Sequence, residues 1–216
     1  MKKVVVWTTI IVLALVMFGC LSAERKEYTW NIKSDGSGNG KIVWRGLFST
    51  GNTEDQDATA DDFVSLINDY LDGTTLEDEN PGYTNIKKRL FVERGKLCGE
   101  MTFEFNSLSD IGFYQYHGEG PVMFLLNAAD ETFIETNGDW AGEEFPVIFW
   151  PDDKKEYTLV TTLGDPDDEG ARPLMVHYKT WEKDGTLPEI EESEYYEEEE
   201  YDDDSPADKI KKATED

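Results

Sequence analysis

Few side chains in this 216-residue chain can act as nucleophiles, bases or metal ligands: two cysteines, Cys20 and Cys98, and two histidines, His117 and His177. A thiolate can attack an acyl or alkyl donor or ligate a metal when a base or cation activates it. Neither cysteine has a His or Asp motif beside it, and no Cys-x-x-Cys pair occurs. His177 falls on the apolar stripe of a helix, where a satisfied core or edge imidazole is the ordinary reading; His117 lies in a loop close to Tyr114 and Tyr116. Carboxylates are abundant, with 47 Asp and Glu against 20 Lys and Arg and a formal charge of −27. In so acidic a chain a carboxylate pair is no signal for glycoside hydrolysis, which needs two at a set spacing across a pocket. The run Glu54, Asp55, Asp57, Asp61, Asp62 invites a calcium loop. That pattern wants Gly at its sixth position and Glu at its twelfth; counted from Asp55, those are Ala60 and Leu66. The Gly-rich stretch 34–40 has no Lys-Ser/Thr and no helix after it, so it is a turn and not a phosphate loop. These residues point away from catalysis: the chain reads as a non-enzyme with no cofactor and no metal site. The charge also excludes nucleic acid as a partner.

The setting of Cys20 is more informative. Lys2 and Lys3 precede an uncharged, mostly apolar run from Val4 to Phe18, followed by Gly19-Cys20. The run is shorter than the ~20 apolar residues that span hydrocarbon, and its flanks are those of a secretory signal peptide. A small residue followed directly by cysteine resembles the lipobox of bacterial lipoprotein signal peptides, although Met17 and Phe18 depart from its usual Leu and small residue. The resemblance implies cleavage between Gly19 and Cys20, lipidation of the Cys20 thiol, and an exported chain held on the cell membrane or outer membrane. Leu21, in place of Asp, would favour outer-membrane sorting in a double-membrane bacterium. Two or more acyl chains hold a protein stably on a bilayer where one does not. With Cys20 lipidated, Cys98 has no partner for a disulfide.

These residues need elements to position them. Residues 26–33 and 41–48 alternate, with Tyr28, Trp30 and Ile32 on one face of the first and Ile42, Trp44 and Phe48 on one face of the second. Asp, Asn and Gly between them supply a hairpin turn. Phe63, Leu66, Ile67, Tyr70 and Leu71 make one helical stripe over 61–71, which Gly73 ends. Residues 84–93 and 96–105 form a second hairpin around Arg94-Gly95, with Leu97, Gly99, Met101, Phe103 and Phe105 on one face. Strands follow at 122–126, 132–136, 145–150 and 157–163, of which the first and third are apolar enough to be central. Pro173 suits the first turn of a helix over 172–183 with Leu174, His177, Tyr178 and Trp181 on its apolar side. From Glu189 to Asp204 most positions are Glu or Asp and none is basic, a composition that predicts disorder.

The order Cys20, strand, Asp35-Gly36-Ser37-Gly38 turn, strand, helix, then a hairpin ending in Cys98-Gly-Glu-Met-Thr-Phe-Glu-Phe105 and Ser107 to Asp110 resembles the LppM-like bacterial lipoproteins. The likeness covers about residues 20–110. It implies a lipid-transfer-like fold with a cavity between sheet and C-terminal helix, and no catalytic residues.

The reading is therefore an α+β fold, ββ-α-ββ-ββββ-α: one curved antiparallel sheet of about eight strands with two helices packed on one face. Residues 1–19 are signal peptide, 20–25 anchor and tether, 26–186 a single domain and 187–216 a disordered acidic tail. The expected function is a membrane-anchored envelope lipoprotein, non-catalytic, binding an apolar or lipid ligand. The alternative is an envelope interaction or scaffold protein whose acidic tail meets a cationic envelope protein partner or divalent ions.

Overall fold

A computed structural model describes residues 21–54 and 56–190. The expectations placed on Gly19, Cys20 and residues 191–216 lie outside the described residues.

The first hairpin sets the frame. Strands β1 (Leu21–Ile32) and β2 (Gly38–Ser49) pair antiparallel, with Tyr28 opposite Ile42 and Trp30 opposite Gly40. The Asp35 carboxylate closes the turn by accepting from the Ser37 amide at 3.0 Å and the Ser37 hydroxyl at 2.7 Å. Gly36 supplies the φ of +80° that the turn requires. A helical segment comes next: α1 (Thr59–Ser65), a π turn over Leu66–Leu71 and α2 (Thr75–Glu79). Then follow β3 (Thr84–Glu93) and β4 (Lys96–Phe105), β5 (Phe113–Gln115), β6 (Val122–Leu125), β7 (Thr132–Thr136), β8 (Asp139–Trp140), β9 (Val147–Trp150), β10 (Glu156–Thr162) and β11 (Arg172–Pro173). Helix α3 (Met175–Asp184) closes the order and ends at Gly185, φ +76°.

The architecture is α+β with a large antiparallel sheet, as the alternation predicts. The strands divide into two sheets instead of one. The larger runs β3-β4-β2-β1-β10-β7, with β11 beside the end of β2; the smaller runs β5-β6-β9-β8. The division has a packing cause. Strands β6 and β9 carry large apolar residues at successive positions, and their inner face must be buried. They pair with each other and lay Phe113, Val122, Phe124, Ile148 and Trp150 against Trp30 and Tyr157 of the larger sheet. Within the smaller sheet these two strands are the inner pair.

Both cores lie on one face of the larger sheet, the face that carries Trp30, Ile42, Leu97, Met101 and Phe103. The first core is the aromatic cluster between the sheets. The second packs Phe63, Leu66 and Ile67 of the helical segment with Leu174 and Tyr178 against Leu97. Two glycines make the first core possible. A Cβ on Gly40 would lie 2.2 Å from the Phe103 ring, and one on Gly38 would lie 2.5 Å from the Phe105 ring. The rings rest on bare backbone, and Tyr83 stacks on Phe103 with centroids 3.8 Å apart.

Several local expectations change. Residues 21–25, read as tether, are strand: Leu21 pairs with Ser49 and Ala23 with Leu47. The backbone of Gly46, φ +68°, breaks the alternation of β2. Leu47 therefore joins Trp44 beside Gly99, while Phe48 leaves that stripe and packs towards Gly164. The 61–71 helix changes pitch: the Asp72 amide donates to the Ile67 carbonyl at 2.8 Å, an i→i+5 bond. Helix α3 starts at Met175 because Arg172 and Pro173 are held as an edge strand against Phe48 and Ser49. Leu187, assigned by composition to the tail, packs on the second core.

Candidate functional site

Between the two cores a cleft runs over the sheet face. Its larger chamber has a volume of about 750 Å³. Its floor is Ala23, Trp44, Leu47, Leu90 and Gly99; its roof is Leu66, Tyr70 and Leu71 from the π turn and Leu76 from α2. Gly99 is decisive. The strand alternation puts it on the apolar face, where every other β4 residue carries a large side chain. A Cβ there would only make ordinary contacts of 3.6–3.8 Å with Leu47, Leu90 and Trp44. The missing side chain leaves room above the floor.

A second chamber of about 710 Å³ adjoins the first along Lys26, Trp44, Leu76 and Glu79. Its walls include Tyr28, Trp30, Ile42, Tyr83, Met101 and Phe124. The cleft therefore extends from Leu21, the first residue of β1, to the aromatic core near its other end.

The roof is the edge of the second core: Leu66 of that core, with Tyr70 and Leu71 packed against it, also borders the cleft. Lys88 of β3 ties the roof to the sheet. Its ammonium donates to the Gly73 carbonyl at 2.5 Å and lies 2.9 Å from Glu77. The Lys88 side chain is 12% exposed and that of Glu77 34%, so solvent reaches the pair from the Glu77 side.

A polar knot stands where the chambers meet. The Glu131 carboxylate accepts from Lys26 Nζ at 2.7 Å, Tyr28 Oη at 2.6 Å and Thr161 Oγ1 at 2.7 Å. Lys26 and Thr161 face each other across β1 and β10, and Tyr28 is two residues along, so one carboxylate reaches all three. The side chains of Glu131 and Lys26 are 10% and 18% exposed. Burial pushes the Glu131 carboxyl up; the Lys26 charge and the three donors outweigh it and hold it below the ordinary range. Burial and the same carboxylate push the Tyr28 phenol well above its usual value, so it remains a donor. The Lys26 ammonium also sits over the Tyr28 and Trp44 rings at 4.9 and 5.7 Å. In the second chamber, burial raises the Tyr83 phenol to about 12.

The residues singled out in the sequence lie away from this cleft. Cys98 is buried on the opposite face of the sheet, opposite Arg45, and its thiol lies 3.7 Å from the Lys96 carbonyl. His177 Nε2 is 3.0 Å from Thr59 Oγ1, and that hydroxyl donates to Asp57 at 2.7 Å. The arrangement spends the hydroxyl proton on the carboxylate, which organises the start of α1 and does not activate an oxygen nucleophile. His117 stands at φ +52° on a surface turn, edge-on to Tyr116. The cavity expected between the sheet and the 172–183 helix lies instead under the 59–79 segment. Helix α3 contributes none of its lining because Leu174 and Tyr178 fill the second core. Sequence reasoning missed Lys26, Glu131 and Gly99. Lys26 and Gly99 had a signal: each interrupts an otherwise apolar inward stripe.

Among the described residues no helix is long and apolar enough to cross a membrane, and no group of three or more His, Cys, Asp or Glu could hold a metal ion. No family model, no curated protein and no solved structure matches this chain.

Proposed function

We propose that this chain is a cell-envelope lipoprotein, held on the membrane through Cys20, whose domain is a non-catalytic binding module for an apolar or lipid ligand. The observation that carries the reading is the cleft. A chamber of about 750 Å³ with Leu, Ala, Trp and Tyr on floor and roof, and charged residues such as Lys26, Glu131, Lys88 and Glu79 at its edges, is of the size and character of a small-molecule site. Its place adds support. Leu21 lines the chamber, and a lipid-bearing residue 20 would be one Cα–Cα step away, about 3.8 Å. The opening would then stand at the bilayer surface, where an apolar ligand can pass without crossing water. A fluorescent apolar probe, N-phenylnaphthylamine, tests the reading. It should brighten with the wild-type chain and brighten less with Gly99→Phe, whose ring would stand in the chamber between Trp44, Leu47 and Leu90. Equal brightening of the two proteins refutes it.

A further inference from the structure

The outer face of the smaller sheet departs from the pattern of a sheet that meets water. An antiparallel sheet covered on one side alternates apolar residues inward with polar residues outward. Strand β6 instead reads Val122-Met123-Phe124-Leu125 and β9 reads Val147-Ile148-Phe149-Trp150, apolar at every position. Phe113, Phe124, Ile148 and Trp150 pack in the aromatic core, so the residues between them point away from it. The register sets Tyr114, Met123, Phe149 and Asp139 side by side in one outward row, with Leu125 beside Val147 in the next. Tyr114 is 56% exposed, Leu125 66%, and Phe145, at the same end as Leu125, 61%. The outer face of the larger sheet differs: ion pairs of Arg45 with Glu27 and Glu93, and of Arg89 with Glu100, lie across it. An exposed apolar patch with a polar rim marks an interaction site.

The rim carries one sign of charge. Asp139 ends the outward row, Glu143 and Glu144 precede Phe145 in the turn between β8 and β9, and Glu119 lies in the turn between β5 and β6 at the opposite end. All four are exposed, and none has an ion pair among the described residues. From Asn106 to Trp150 there is no Lys or Arg to offset them. These charges select the occupant. A second copy of this face would set carboxylates against carboxylates, and so would the acidic stretch 189–204. An anionic bilayer meets the same repulsion, and an anchor at residue 20 adjoins Leu21, at the far end of β1 from the Trp30 on which this sheet packs. A protein surface with an apolar centre and a basic edge complements both the patch and its rim.

We propose that the outer face of the smaller sheet is a docking surface for a protein partner whose contact patch is apolar and edged with Lys or Arg. Tyr114, Met123, Leu125 and Phe149 meet the apolar centre, and Asp139, Glu143 and Glu144 meet the basic edge. Aromatic residues and Met are the types enriched at the core of protein interfaces. The surface is separate from the cleft, so it stands independently of the ligand reading.

The test uses the full chain with ¹³C-labelled methionine methyls, and a short amphipathic Leu/Lys helix as the stand-in for the partner. Met123→Leu assigns the Met123 methyl resonance. The peptide should shift that methyl, and Leu125→Glu should weaken its binding by about tenfold or more, because a carboxylate then stands in the apolar centre. Leu125 is exposed, so this substitution leaves the fold in place. Glu143→Gln with Glu144→Gln should weaken binding severalfold and flatten its salt dependence. A Met123 methyl that stays put while the peptide binds places the peptide elsewhere on this acidic chain and overturns the proposal, as does a Leu125→Glu chain that binds like the parent. A Leu/Glu helix that binds equally well overturns the basic edge. A Met123 shift that appears on concentrating the chain alone gives the face to a second copy, and one produced by phosphatidylcholine–phosphatidylglycerol vesicles gives it to a bilayer; either overturns the protein partner.

Discussion

Replacing Glu131 by Gln should destabilise the fold by about 2–3 kcal/mol at pH 7, less than the full cost of an orphaned buried charge. Breaking a buried ion pair by removing one partner costs about 3–5 kcal/mol, because the other charge stays desolvated. Here Lys26 keeps some relief: its side chain is 18% exposed, and its ammonium stays over the Tyr28 and Trp44 rings. The neutral amide can still accept from one or two of Lys26, Tyr28 and Thr161, but its NH2 end meets a donor. In a domain of this size 1 kcal/mol moves Tm by about 2–4 °C, so the variant should melt roughly 5–10 °C below the parent. The pH dependence gives a second readout. The folded Glu131 carboxyl ionises below its ordinary value, so the folded state binds fewer protons there than the unfolded chain. Its contribution is complete above the unfolded carboxyl range, about 4.3–4.5, and is lost as pH falls through the lower folded value. The gap between parent and Glu131→Gln should therefore be full at pH 7 and close progressively below about pH 4.5. The assay is thermal and urea unfolding of both proteins from pH 7 to pH 3. A double variant, Lys26→Met with Glu131→Leu, should recover only part of the loss: it leaves no charge unpaired but orphans the buried Tyr28 and Thr161 hydroxyls. A Glu131→Gln variant that unfolds like an ordinary surface substitution, within about 0.5 kcal/mol of the parent at pH 7, would refute the reasoning. So would a gap indifferent to pH.

Other expectations follow from single contacts. Gly40→Ala should cost about 2–3 kcal/mol, since its Cβ would press into the Phe103 ring that Tyr83 holds from above. Gly99→Ala should stay within about 0.5 kcal/mol, its Cβ meeting nothing closer than 3.6 Å; urea midpoints of the two variants decide. Lys88→Met should release the roof, so amides of residues 66–79 exchange faster while β1 and β4 remain protected; unchanged exchange there removes Lys88 as the tie. Truncation after Ile190 should leave probe binding unaltered, because among the described residues the cleft lining ends at Leu163; a weakened probe signal would give the acidic segment a part in the site.

Strands are legible in the sequence where period and punctuation agree. The hairpin 84–93 and 96–105 emerges with those bounds, as does 132–136, because clear alternation meets Arg94-Gly95 in one case and Asn137-Gly138 in the other. Pairing across distance is not legible. Nothing local tells β10 to join β1, or β6 to leave the larger sheet and pair with β9 across the intervening β7 and β8; those choices bury Trp30, Trp150 and Tyr157 together. Face assignments fail where the backbone departs from ideal geometry. Gly46 turns the end of β2, so Phe48 leaves the stripe that Ile42 and Trp44 share. The cleft is invisible for a related reason. It is built from an absence, the side chain missing at Gly99, and from a lysine on an apolar stripe whose carboxylate partner is 105 residues away.

Occupation of the cleft by an apolar ligand in the cell envelope is the central claim. Native mass spectrometry of the full chain, extracted gently from the membrane fraction of cells that make it, tests this most directly. The account predicts a bound species of lipid mass on the wild-type chain, beyond any covalent modification seen after denaturation, and a smaller bound fraction on Gly99→Phe. A wild-type chain that flies with its covalent mass alone, or a Gly99→Phe chain that retains the adduct in the same fraction, contradicts it.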